Sequence, residues 1–417
     1  MLVLVLLLLV PLLTLPSQIP NRHSYILWLK GLVDSTSYHP SHDDRIVVLD
    51  IGTGAGCIYP LLGCVQRPWS FFATDIDPTN HTFASRNIIS NGLENRITLL
   101  PLRTPSDPLI PPEVTTAAGL DIVMTNPPFY ASATEMRDRA AAKDRPPLSA
   151  CTGAPVEMVT QGGEVAFVSC LIEESLVLRD RVRWYTAMLG KHSSLGTLIE
   201  KLKNASVLNY AVTELTQGRT TRRWALGWSF GSMRPSQIVA RDVKGDNNGN
   251  NRSNSNSLGR LGRLLPLITE ADVLIVPAWD AEGRPGVGAD VLGRRANEAI
   301  SALELVSWEW DADQLCGFGK ATGIVWSRAW RRRKTARQDY HGAEDEDDNG
   351  DDDEERKGKS GLSSVDVDDV VVAFGFRIEV RAGTQDSRVW CRWLEGVDPV
   401  VYESFRGWLG RKVQEGG

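Results

Sequence analysis

The 417-residue sequence is poor in cysteine, with six, at positions 57, 64, 151, 170, 316 and 391. None forms a C-x-x-C pair, which excludes zinc-ribbon and thioredoxin-like sites. A disulfide framework would need a denser pattern, so a reduced intracellular protein is expected. No stretch reaches transmembrane length. The one apolar run, residues 2–13, is too short to span a bilayer. It also lacks the basic flank and small-residue cleavage site of a secretory signal, so neither secretion nor a membrane partner is expected. A positive excess is missing as well. Basic residues number 46 against 52 acidic ones, a formal net charge of −6. Ten of the acids, however, lie between Glu344 and Glu355, with no basic residue among them. Outside that tract the balance is 42 acidic to 46 basic, which permits a polyanionic partner without identifying one.

The patterning that is present alternates strand and helix. Apolar runs at 46–51, 70–74, 96–100, 120–125 and 183–189 read as buried strands. Residues 57–66, 79–91, 163–178 and 195–203 read as the intervening helices. Residues 207–215 and 223–230 read as a strand pair closed by a Gly-Arg-Thr-Thr turn. The reading is an α/β domain with a mainly parallel sheet and an antiparallel edge. A polar low-complexity segment, 245–257, follows. Strands at 274–279, 305–310, 365–380 and 390–394, with helices at 287–303 and 402–413, predict a smaller α+β module. An acidic insert divides it. The expected division is therefore 1–19 apolar segment, 20–232 catalytic domain, 233–270 linker, 271–334 plus 365–413 split module, and 335–364 disordered insert.

Two motifs carry chemistry. Asp50-Ile51-Gly52-Thr53-Gly54-Ala55-Gly56 sits where a strand gives way to a helix, where glycines allow close backbone approach and free N–H groups await a ligand. Asp75, at the end of the next strand, can accept two ribose hydroxyls. Asn126-Pro127-Pro128-Phe129 follows the fourth strand, on the same sheet edge as the glycine loop. Its prolines fix the chain so that the Asn126 side-chain oxygen and the Pro127 carbonyl can hold both protons of a planar amino group. That frees the nitrogen lone pair for attack on an adjacent sulfonium methyl, with Phe129 as a stacking face. The G-x-G-x-G loop resembles that of class I methyltransferases. The N-P-P-F motif resembles that of enzymes acting on adenine N6, cytosine N4 or glutamine N5.

Further blocks narrow the resemblance. They are Pro20 to Trp28, Gly162-Gly163-Glu164, Arg183-Trp184-Tyr185 with Met188 to Lys191, and Gln217-Gly218-Arg219-Thr220. With the two motifs, and in this order, they resemble the eukaryotic family that makes N6-methyladenosine in U6 small nuclear RNA, a relative of bacterial 23S ribosomal RNA adenine-N6 methyltransferases. The resemblance covers about residues 15–230. It implies a class I, Rossmann-like fold with a small C-terminal α+β module, and S-adenosylmethionine as methyl donor. It assigns Arg22, Asp50, Gly52, Gly54, Gly56, Asp75, Thr104 and Asn126 to the donor, and Asn126, Pro127, Pro128 and Phe129 to the base and its chemistry. Asp75 stands where the family has Glu, and Gly56 where it often has Ser. Arg103 would match a basic residue of a loop able to block the donor pocket. Structured RNA is the implied partner, with Arg137, Arg139, Lys143, Arg145, Arg183, Arg219 and Arg222 expected to bind it.

No metal is expected, and the protein is expected to be a monomer in the nucleus, the cytoplasm or both. The family carries a basic N-terminal module before the segment matching Pro20; residues 1–13 stand in its place here, so an incomplete or mispredicted start is expected. Two alternatives stay open. One is a protein glutamine-N5 methyltransferase, and the other is an RNA-binding protein with impaired catalysis.

Overall fold

A computed structural model describes residues 19–117, 119–128, 162–217, 221–241, 257–279, 286–330, 332–333 and 371–415. The expected apolar segment up to residue 18 and the whole expected acidic insert, 335–364, lie outside these residues. The chain divides into two compact units, Met1–Leu267 and Ile268–Gly417.

The first unit opens with helix α1 (Ile19–Ser35), which the sequence reading did not assign. Pro20 at its first turn suits a helix start, because that N–H has no intrahelical acceptor. There follow β1 (Val47–Ile51), α2 (Ile58–Gln66), β2 (Ser70–Thr74), α3 (Pro78–Ser90), β3 (Ile97–Leu99), α4 (Pro112–Ala117) and β4 (Leu120–Thr125). After them come α5 (Gly163–Leu178), β5 (Val182–Leu189), α6 (His192–Asn204), β6 (Asn209–Gln217), β7 (Thr221–Ser229) and α7 (Gln237–Arg241). The α3 start is set locally. Asp77 accepts from the N–H groups of Thr79 and Asn80, and Pro78 takes the first helical position.

The seven strands form one sheet in the order β3-β2-β1-β4-β5-β7-β6. β1 to β5 run parallel, and β7 lies antiparallel to both β5 and β6. Both faces are covered. One apolar cluster joins α1, α2 and α3 to one face, and another joins α5 and α6 to the other. That is why the strands read as continuous apolar runs. Packing against α2 is tight, since a Cβ on Gly63 would fall 2.2 Å from the Phe71 ring.

The segment expected as a linker, 233–270, is structured at both ends. The Trp28 indole donates to the Val239 carbonyl on α7. A helical segment at Ser257–Leu264 buries Leu258 and Leu261 in the core beside α5 and α6. Those leucines, three apart, supply the apolar stripe that the polar composition around them obscured.

The second unit is a five-stranded antiparallel sheet, order β8-β12-β11-β10-β9. Its strands are β8 (Glu270–Pro277), β9 (Ser307–Asp311), β10 (Cys316–Ala321), β11 (Phe374–Ala382) and β12 (Asp386–Glu395). Helices α8 (Ala289–Ser301) and α9 (Pro399–Glu415) complete it. Chain on either side of the acidic insert meets in this sheet, as β10 pairs with β11 and β8 with β12. Phe374, Phe376, Trp393 and Phe405 are fully buried between the sheet and its helices. Across the sheet, Arg381 lies 4.2 Å from the Trp390 ring centroid, and Arg377 lies 5.3 Å from that of Phe318.

Candidate active site

The strand ends bring the site together. Ile51 pairs with Thr74 on one side and Thr125 on the other, so Gly52, Asp75 and Asn126 leave the sheet side by side at its carboxyl edge. The Thr125 hydroxyl donates to the Ile51 carbonyl at 3.0 Å, tying the two motif-bearing strands together where they end. Thr125 pairs with Ala187, which puts the end of β5 on the same edge. Leu189 pairs with Trp224, so the start of β7 lies at that edge too.

The glycine loop is built by backbone conformation. Gly52 and Gly54 have φ of 73° and 66°, left-handed values that disfavour a side chain. The N–H groups of Gly52 and Thr53 donate to the Thr74 carbonyl at 3.0 and 2.8 Å. Gly56 is different. It has no such φ, and a Cβ there would meet only Ile58, at an ordinary 3.8 Å. A serine at this position therefore fits.

Asp75 is buried, and its two carboxylate oxygens accept from the N–H groups of Gly54 at 2.8 Å and Asp77 at 2.9 Å. It holds the loop from below. The Asn80 side-chain amide also donates to the oxygen that the Asp77 N–H reaches, at 3.5 Å, so the oxygen on Gly54 keeps a second lone pair for a ribose hydroxyl. The N–H of Arg103 donates to the Asp75 carbonyl, bringing the 101–111 loop to this corner. Within that loop Thr104 is exposed, its N–H on Asp107 and its hydroxyl on Ser106. The Arg103 guanidinium pairs with Glu113 at 3.0 Å and lies 3.7 Å from Asp107. Glu174 of α5 grips the loop's far end, accepting from Leu109 and Ile110 at 2.8 Å each.

Several polar atoms at this edge are buried without a hydrogen-bond partner. They are both carboxylate oxygens of Asp50, the Nε of Arg22 and the side-chain oxygen of Asn126. Orphaned buried atoms of this kind are costly in a finished core. Gathered beside a glycine loop, they form a cradle for a ligand carrying both donors and acceptors. Burial pushes the Asp50 carboxyl up to about 7. Asp75 adds to the rise, while Thr53 and Arg22 oppose it. Arg22 lies against the Tyr59 hydroxyl, which also reaches the Met188 sulfur at 3.8 Å. Tyr25 donates to Thr186 at 2.8 Å, and Thr186 donates to the Val123 carbonyl at 3.0 Å. This donor and acceptor set fits an amino-acid head group, with Arg22 for a carboxylate and Asp50 for an ammonium.

Sequence reasoning assigned no role to Glu164, which the structure makes central to the edge. It is fully buried and accepts from the N–H groups of Gly190 (2.6 Å) and Lys191 (3.0 Å) and from the Ser194 hydroxyl (2.5 Å). A Glu directly after Gly162-Gly163, at the start of a helix, was the available signal.

The expected RNA residues separate. Arg222 is at the carboxyl edge, half exposed, 3.2 Å from Glu214. Arg183 is not there. It lies at the opposite end of β5, where one guanidinium nitrogen donates to the carbonyls of Val33 and Thr36 and to the Thr36 hydroxyl. It caps the last turn of α1, a structural task for a basic group at a helix C-terminus. Phe129, Arg137, Arg139, Lys143, Arg145 and Arg219 lie outside the described residues, as does the Gly-Arg-Thr part of the turn. Among the described residues, no cluster of His, Cys, Asp or Glu could hold a metal.

A seven-stranded sheet of this order, with a glycine loop after β1, an acid after β2 and Asn-Pro-Pro after β4, defines a class I, S-adenosylmethionine-dependent methyltransferase domain. Residues 6–232 match a family described as RNA methyltransferase, and the chain belongs to that family. It is 32% identical over 399 residues to the U6 small nuclear RNA (adenine-(43)-N(6))-methyltransferase of Schizosaccharomyces pombe, a match covering 95% of this chain and 86% of that one. It is 39% identical over 225 residues to the RNA N(6)-adenosine-methyltransferase METTL16 of Homo sapiens, covering 53% of this chain and 39% of that protein. A solved hMettl16 catalytic domain in complex with the MAT2A 3'UTR hairpin 1 shares 38% identity, with a TM-score of 0.48, over 54% of this chain and 75% of that one.

Proposed function

We propose that the chain transfers a methyl group from S-adenosylmethionine to N6 of an unpaired adenosine in structured RNA, with U6 small nuclear RNA as substrate. The carrying observation is the Asn126 side-chain oxygen, buried and unpartnered at the end of β4. An acceptor so placed awaits a donor, and an exocyclic amino group supplies one. The printed name of the fission yeast relative, matched over 95% of this chain, supports adenine as the base and U6 as the RNA.

When bound, S-adenosylmethionine supplies an electrophilic sulfonium methyl. Everything else falls to this chain. Arg22 and Asp50 hold the donor's amino-acid end, while Gly52, Gly54 and Gly56 let its body approach the backbone. Asp75 and Thr104 border its nucleoside. Asn126 accepts one proton of the target amino group and the Pro127 carbonyl the other, which keeps the nitrogen lone pair aimed at the methyl. Pro128 fixes the turn, and Phe129 stacks on the base. The gain comes from fixed dipoles and positioning. The arginines and lysine of 137–145, with Arg219 and Arg222, serve the RNA backbone, and a flipped-out loop adenosine is the form that reaches such a pocket. The second unit, with its arginine–aromatic stacks, adds RNA contact area. The protein acts as a monomer, and a U6 substrate makes the nucleus its place of work.

The test is transfer of labelled methyl to a U6 hairpin by the full chain and by Asn126→Ala. The variant is expected to lose about 10²–10³-fold in rate while still binding S-adenosylhomocysteine. Undiminished transfer by the variant would refute the assignment. Transfer to a glutamine-bearing peptide with none to RNA would replace the substrate.

A further inference from the structure

Asp50 sits within β1, fully buried, and neither carboxylate oxygen has a hydrogen-bond partner. A buried carboxylate is ordinarily matched by two or three donors. Of the groups around Asp50, the Thr53 hydroxyl and the Arg22 guanidinium favour the charged form, Asp75 opposes it, and burial outweighs them. From α1, Arg22 turns toward the Tyr59 hydroxyl, and Tyr25 donates to Thr186. From α2, Tyr59 reaches Met188. In the loop between, the Thr53 hydroxyl donates to the Cys57 sulfur at 3.4 Å. At the end of β2, Asp75 carries a second acid, already bonded to backbone N–H groups.

We propose that Asp50 is the counter-charge for the methyl donor's ammonium, and that donor binding therefore expels a proton from Asp50. This rests on the methyl-donor reading of the site and adds a linkage that the reading does not require. The ligand-free carboxyl is held neutral by burial. A cation brought against it reverses that preference, so the proton leaves as the ammonium docks. The O–H bond of the acid breaks, its electron pair stays on the carboxylate, and the proton passes to solvent. Affinity for the donor then rises with pH through neutrality and levels off above it. The other titratable groups facing Asp50 do not imitate this. Burial pushes the Tyr25 and Tyr59 hydroxyls and the Cys57 thiol upward, away from neutral pH.

The experiment is calorimetric titration of the full chain with S-adenosylhomocysteine, which carries the same ammonium, in buffers of different ionisation enthalpy. With Asp50 pushed up to about 7, wild type at pH 6.5 is expected to release about three-quarters of a proton per ligand bound, and affinity is about tenfold weaker at pH 6 than at pH 8. Asp50→Asn is expected to release none at pH 6.5 and to bind about tenfold or more weakly at pH 8. A carboxyl carbon NMR titration of wild type gives a second readout, in which one buried carboxyl titrating near neutrality shifts to lower pH on ligand binding. Proton release that persists in Asp50→Asn would overturn the proposal. So would tight wild-type binding with no proton release. Absence of ligand binding at every pH would sink the methyl-donor reading together with it, a result distinct from binding without linkage.

Discussion

Arg183→Ala separates a structural arginine from an RNA-binding one. One guanidinium nitrogen donates to Val33 O at 3.0 Å, Thr36 O at 2.5 Å and Thr36 Oγ1 at 3.0 Å, at the end of α1. The Trp184 indole also approaches that Thr36 hydroxyl, at 3.4 Å. Bonds from a charged donor contribute about 1.5–3 kcal/mol each in favourable cases. Here they share one nitrogen, the side chain is half-buried, and water can reach the freed carbonyls. A net loss of about 2 kcal/mol is the reasonable figure. For a unit of this size that lowers Tm by roughly 4–8 °C. Arg183→Lys keeps a charge near the carbonyls and loses about half as much. Affinity for a U6 hairpin, measured at a fixed salt concentration below each variant's Tm, stays at the wild-type value. Arg222→Ala, at the carboxyl edge, weakens binding severalfold and lowers its salt slope by about one. The reasoning is refuted if Arg183→Ala weakens RNA binding while Tm stays within error of wild type.

Other expectations follow from single buried groups. The raised Asp50 pKa means that the native state holds a proton which the unfolded chain has lost. Stability therefore falls as pH rises from about 4 to about 7 and is flat above. Asp50→Asn removes that loss, and its ligand-free Tm at pH 8 should exceed wild type by roughly 5–10 °C. A lower Tm in scanning calorimetry would contradict the burial argument. Glu164→Gln weakens three bonds to a buried carboxylate, and Tm should fall by roughly 5–10 °C. An unchanged Tm would show that the carboxylate does not hold the β5–α6 junction.

Much of the first unit is legible because its elements carry clean periodicity. Leu120 to Thr125 and Gly163 to Leu178 are a strand and a helix with the bounds their patterns predict. The carboxyl edge follows from topology, since loops after parallel strands share an edge. What the sequence conceals is pairing at long range. Arg183 next to a strand reads like any surface arginine, and its partner Thr36 is 147 positions away. Strand β10 (Cys-Gly-Phe-Gly-Lys-Ala) was missed because glycine weakens strands. Here the glycines are steric necessities, since a Cβ on Gly319 would fall 2.3 Å from the Phe376 ring and one on Gly317 would fall 2.5 Å from the Glu309 carbonyl. The acid at Asp75 is visible, but its use as a brace for Gly54 is not, because that bond depends on how the loop folds back.

The most direct test of the central claim is the identity of the methylated nucleoside. The full chain is incubated with S-adenosylmethionine and a U6 hairpin, the RNA is digested to nucleosides, and the products are separated by mass spectrometry. The account predicts N6-methyladenosine, present with wild type and reduced about 10²–10³-fold with Asn126→Ala. A methyl group found on another base, on the ribose, or only on protein would contradict it.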